Sequence, residues 1–136
     1  MVTRQQRRLF DELLDDLIAR LPEHVVALFD ETPLIVEDEP SEHIRRDTLG
    51  PDDDGDLLGV FSGTSIVEDS VMDSGHAPDD IHLFRGPIIR LANDFAAEQG
   101  VRFDEALAEQ VRITLLHEVG HHFGLDEDDL DRLGYA

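Results

Sequence analysis

Three of the chain's seven histidines, His117, His121 and His122, fall within six positions, and an acid, Glu118, follows the first of them. Residues four apart in an α-helix lie one turn apart on the same face. His117 and His121 can therefore present two imidazoles to one metal ion. The chain has no cysteine. This excludes disulfides, zinc ribbons and thiol nucleophiles, and it leaves His, Asp and Glu to build any transition-metal site. A stacked imidazole pair of this kind suits zinc. Glu118 projects about 100° round the helix from His117, so it can reach a water held at the metal without being a ligand itself. Zinc lowers the pKa of that water towards about 7, and a carboxylate so placed can take the proton as a general base.

The arrangement needs a helix, and the sequence supplies one. Residues from about Asp104 to Phe123 form a long helical stretch that Gly124 is placed to end. On its wheel Val111, Leu115, Leu116, Val119 and Phe123 fall on one side, and Gln110, Ile113, His117, His121 and Gly124 on the other. The anchoring face is thus largely separate from the histidine face. His122 falls near the apolar side and is expected to be packed and hydrogen-bonded rather than a ligand. Gly120 lowers helix propensity by about 1 kcal/mol against Ala, which points to a closely approaching neighbour. His24, His43, His76 and His82 are scattered. They read as ordinary surface or core residues, with His76 and His82 nearest the substrate side.

Upstream, Leu9, Phe10, Leu13, Leu14, Leu17, Ile18 and Leu21 mark an amphipathic helix over 4–21. Pro22 can open a second short helix as its first residue, and Pro87 a third that Gly100 stops. Short strands are expected at 33–37 (PLIVE), 57–63 (LLGVFSG) and 81–85 (IHLFR). Residues 38–56 and 64–80 read as loops. Helices, a small sheet of about three strands and further helices, four to five in all, make an α+β domain, with 1–136 as a single unit.

With 32 acids against 11 basic residues the net charge is −21. Such a chain repels phosphate backbones, so nucleic acid is not expected as a partner. The acidic runs read as solvated surface. An EF-hand loop fails before Gly55, because its first ligand position falls on Gly50. No stretch is long and apolar enough to span a membrane, and the first residues lack the apolar core of a secretory signal. A soluble cytoplasmic protein is the expectation.

The segment HEVGHHFGLDE is similar to the extended H-E-x-x-H-x-x-G-x-x-[H/D] signature of zincin metallopeptidases. More closely, IHLFRGPIIRLA followed by VRITLLHEVGHHFGLDEDDL resembles the small bacterial zincin-like metallopeptidases, or minimal zincins, with a weaker match at DLLGVFSG. The resemblance implies a compact α+β domain with a short mixed sheet over the motif helix. It also implies a single Zn2+ held by His117, His121 and an acid beyond Gly124, and peptide-bond hydrolysis with Glu118 as the catalytic base. Counting from His117, the tenth position of the pattern is Glu127, which takes the third ligand slot; Asp126 and Asp128 flank it as alternatives. No methionine follows the motif, which argues against a metzincin. The only tyrosine is Tyr135, so Arg85 and Arg112 are the candidates for stabilising an oxyanion. The implied partner is a peptide or protein substrate, laid against a sheet edge for which 81–85 is the candidate strand. The acidity of the chain favours basic substrates. The rival function is a metal-stabilised interaction module, but a purely structural site has no use for Glu118.

Overall fold

The computed structural model describes residues 1–50, 55–62, 80–123 and 128. Helix α1 spans Arg4–Arg20 and begins on a capping box. Thr3 Oγ1 accepts the Gln6 backbone N–H, and the Gln6 side chain accepts the Thr3 N–H. Two single-turn helices follow, α2 at Glu23–Val26 and α3 at Leu28–Glu31, where one short helix was expected. Pro22 caps α2 from just outside it rather than standing as its first residue.

Strand β1 (Leu34–Glu37) leads to helix α4 (Glu42–Leu49), within a segment expected to be a loop. Ser41 Oγ accepts the Ile44 N–H to start α4, and Glu42 pairs with Arg46 one turn on. Strands β2 (Gly59–Ser62) and β3 (Asp80–Phe84) complete a mixed sheet in the order β1-β3-β2. β1 runs parallel to β3, with Leu34 opposite Ile81, and β2 runs antiparallel to it, with Gly59 opposite Leu83. The strand expected to offer a free edge is therefore the central one, paired on both sides. Ile81, Leu83 and Phe84 of this strand are buried, and among the described strands the terminal positions fall to β1 and β2.

β3 passes without a loop into helix α5 (Arg85–Gln99). Pro87 sits third in its first turn, where a missing N–H costs nothing. The Gly86 N–H is taken by Asp38 O at 2.7 Å. Gly100 ends α5 in the left-handed conformation, with φ at 66°.

Helix α6 (Phe103–His122) is the long helix that carries the histidine motif. It packs against α1, α5, β2 and β3. Its Leu107, Val111, Leu115 and Val119 recur at four-residue intervals and are all buried. They meet Ile81 and Leu83 of β3, Ile88 and Ala92 of α5, and Phe10 and Leu14 of α1 in one core. Phe123, expected on this face, instead lies 40% exposed just past the helix end. The α+β class, the small mixed sheet and the place of the motif on a long helix all hold. Among the described residues no helix is long and apolar enough to cross a membrane.

Candidate metal centre

The helical repeat does what the spacing requires. His117 Nε2 and His121 Nε2 stand 3.0 Å apart, with their rings nearly perpendicular at 82°. Glu118 Oε1 lies 4.0 Å from His121 Nε2, beyond hydrogen-bond range. Among the described residues, this His-Glu-His set is the group of His and acidic side chains close enough together to hold a metal ion. Both histidines are half-buried, while Glu118 is only 5% exposed.

The donor set fits zinc. Two nitrogens bound tetrahedrally at about 2.0–2.1 Å lie roughly 3.3 Å from each other. The observed separation is within a small ring rotation of that value. As a hydrogen bond the same contact works only if one Nε2–H donates to the other ring's lone pair. As a ligand pair, both lone pairs serve at once. Glu118 lies beside the pair, within the same candidate metal-holding group.

Glu127, the expected third ligand, and Asp126, one of its two alternatives, lie outside the described residues, as do His76, Gly124 and Tyr135. Asp128 is described and exposed, and it is not part of the His-Glu-His group. His122 is buried, with its ring edge-on to Phe61 of β2 at 5.6 Å. It packs the end of α6 against the sheet, as expected.

Two expectations about other residues are corrected. His82 does not lie on the substrate side. A side chain on Gly59 would meet Leu83 and Thr114 of α6, so Gly59 and Leu83 face the helix. By strand alternation His82 faces the other way. Its Nδ1 is 3.1 Å from Glu37 Oε1 and its Nε2 3.1 Å from Asp80 Oδ1, the latter too oblique for a hydrogen bond.

Arg85 is not available to an oxyanion. Its Nε and Nη2 bind Asp11 at 2.9 and 3.1 Å, its Nη1 binds Asp38 at 3.0 Å, and its guanidinium lies over the Phe10 ring. All three nitrogens are committed to holding α1 and the end of β1 on α5. Arg112 pairs with Glu109 one turn back on α6, at 2.6 Å for the shorter contact. That guanidinium holds the Glu109 carboxyl below its ordinary range. Arg7 does the same for Asp38, with help from Arg85, and Arg90 does it for Asp56. Arg90 also grips Glu39 through two nitrogens. The pairs made by Arg7, Arg85 and Arg90 gather round the end of β1, whereas Arg112–Glu109 lies on α6 itself.

Beside the metal centre, a cleft of about 260 Å³ is bounded by Leu58, Gly59, Ile113, Thr114, His117 and Glu118. Its far wall is not among the site residues expected from the sequence. Two signals pointed to it: a lone glycine within a strand marks close backbone approach, and Ile113 and Thr114 stand one helical turn before His117 and Glu118.

The described part of the chain is a small α+β domain that carries a His-Glu-His set on one long helix. A sequence model of the zincin-like metallopeptidase family matches residues 29–135, and the chain belongs to that family. No curated protein matches it.

Proposed function

We infer that this protein is a zinc-dependent peptidase in which His117 and His121 hold the metal, Glu127 completes the ligand set and Glu118 is the general base. The observation that carries the reading is the buried Glu118 carboxylate beside two converging imidazole nitrogens, 4.0 Å from Nε2 of His121. Zinc bound there supplies Lewis acidity, which polarises a scissile carbonyl and acidifies a water. Glu118 accepts the proton of the attacking water on its carboxylate and delivers it to the leaving amine. Its burial, at 5% exposure, limits the access of competing water.

The substrate is proposed to lie along β2, a terminal strand of the described sheet, which borders the cleft and packs on α6. Extended peptides add to such edges through main-chain hydrogen bonds. The net charge of −21 favours the approach of cationic chains at low ionic strength.

The test is cleavage of an unstructured protein by zinc-loaded wild type against Glu118→Gln. The variant is expected to keep its zinc and lose activity by roughly 10²–10⁴-fold, the usual contribution of a general base. Undiminished cleavage by the variant would refute the role of Glu118. Zinc held firmly by a wild type that cleaves nothing would favour an interaction module.

A further inference from the structure

We propose that the corner where the start of α1 meets α5 and the first turn of α6 is a docking site for an acidic peptide segment of a partner protein, with Arg4 and Arg8 receiving its carboxylates. The inference is independent of the peptidase reading. Phe103, which opens α6, precedes His117 by fourteen residues, about 21 Å along the helix. The corner therefore lies apart from the metal centre.

Two adjoining hollows shape the corner. One, of about 300 Å³, is bounded by Gln5, Gln6 and Leu9 of α1, Asn93 of α5 and Phe103 of α6. The other, of about 340 Å³, is bounded by Arg4, Gln5 and Arg8. Gln5 is common to both. Among the described residues no carboxylate borders either hollow. The chain carries 32 acids against 11 basic residues, so a stretch of surface with two cations and no acid stands apart from the rest.

The two arginines are poorly placed for the fold alone. Arg7, Arg46, Arg85, Arg90, Arg102 and Arg112 each bind a carboxylate. Arg4 and Arg8 are exposed, and among the described residues no carboxylate lies within 4.0 Å of either. They stand four apart on one helix face, where like charges repel. They also stand at the N-terminal end of α1, where the helix dipole favours anions, and the first turn holds no acid. A carboxylate bound here relieves both penalties, because it pairs with the guanidiniums and faces the positive end of the helix.

The amides and the apolar residues define the rest of the ligand. Gln5 and Asn93 make no side-chain hydrogen bond among the described residues. Gln6 uses its carbonyl oxygen on the Thr3 N–H, which leaves its NH2 to donate. Side-chain amides offer donors and acceptors together, the match for a peptide main chain. Leu9 and Phe103 are half-buried and can be covered further by one apolar side chain. The site thus asks for a peptide with an apolar residue beside acidic ones. A nucleic acid is the poorer match, because its unbroken line of phosphates meets the repulsion of a chain at −21. The same repulsion turns a short acidic segment away from the surrounding surface and towards this corner.

The test is fluorescence anisotropy of a labelled, blocked peptide, Glu-Glu-Leu-Glu-Glu, titrated with the full chain at low salt. Two relatives replace its glutamates by glutamine or its leucine by glycine. The parent peptide is expected to bind, and each relative to bind roughly 10-fold more weakly, the scale of losing charge-assisted hydrogen bonds or one buried aliphatic side chain. Arg4→Gln/Arg8→Gln is expected to weaken the parent by roughly 10-fold or more, and Asn93→Asp, which sets a repelling charge in the groove, to weaken it too. Arg20→Gln, at the other end of α1, is the control and is expected to leave binding unchanged. Chemical denaturation is expected to find the double variant at least as stable as wild type. No binding of the parent, equal binding of the three peptides, or an equal loss in Arg20→Gln would overturn the proposal. A double variant less stable than wild type would also overturn it, by assigning the arginines to the fold. Tighter binding of a short single-stranded oligonucleotide than of the peptide would overturn the choice of partner.

Discussion

His117 and His121 turn their Nε2 atoms towards one point, 3.0 Å apart, whereas His82 turns its two ring nitrogens towards separate carboxylates, Glu37 and Asp80, each 3.1 Å away. The residue type is the same and the secondary structure differs. A helix stacks side chains four apart over one another, so their lone pairs can converge. A strand sends alternate side chains to the same face in a spread row, so His82 reaches one acid along its own strand and another across to β1. Convergence makes a chelator and divergence makes a strut. The region around β1 extends that second pattern, with Arg7, Arg85 and Arg90 each matched by Asp or Glu. Each of these three cations already has a carboxylate partner.

The sharpest way to break this comparison is to remove one histidine from each kind of site. His117→Ala or His121→Ala is expected to abolish stoichiometric zinc binding, because each removes one of two converging donors. His82→Ala is expected to keep about one zinc per chain, the stoichiometry a single ligand set allows. Its effect should instead fall on stability, at about 1–2 kcal/mol, the scale of losing charge-assisted contacts that are partly open to solvent. Metal content by elemental analysis and chemical denaturation of the same samples separate the two. Zinc lost in His82→Ala, or kept in both α6 variants, would erase the distinction.

A somewhat smaller effect is expected at the third ligand. Glu127→Ala should weaken zinc binding without removing the imidazole pair, measured by competition with a chromophoric chelator. The neighbouring acids serve as controls. If Asp126→Ala or Asp128→Ala weakens binding and Glu127→Ala does not, the register carried over from the extended motif is wrong by one residue.

What could be read from the sequence divides along the same line between local and distant. The motif was legible because His117, Glu118 and His121 are brought together by the helix repeat alone, and α1, α5 and α6 carry apolar stripes that announce them. Helix α4 was missed because it buries no residue and so has no stripe. Its stabilisation is a Ser41 cap and a Glu42–Arg46 pair, hidden among acids and prolines that read as loop. The central place of β3 depends on long-range pairing with both Leu34 and Gly59, which no local pattern specifies. Arg85 looked available for the same reason: its partners Asp11 and Asp38 are distant in sequence. The cleft joins Leu58 to Ile113, and only the folded chain puts them opposite each other.

Acid should take the two regions apart in order, and this is the smallest and most gradual of the expected effects. Protons compete with a metal for imidazole nitrogens, so zinc affinity falls as pH is lowered. The ion-pair region responds differently. Asp38 and Asp56 are held below their ordinary value of 3.8 by their arginine partners. A carboxyl with a lower pKa in the folded state than in the unfolded one contributes stability that is fully present above the unfolded value. As pH drops below about 4, the unfolded chain binds protons first, and that contribution is lost progressively until the folded groups protonate as well. The zinc centre should therefore empty while the β1 ion pairs still hold. Because these carboxylates are partly solvent-exposed, each contributes modestly, and added salt should weaken the effect. Zinc release followed with a fluorescent indicator, alongside far-ultraviolet circular dichroism across the same titration, gives both curves. Release of zinc only together with the loss of helix would mean that the metal centre and the β1 ion pairs behave as one unit, and the contrast between them would fail.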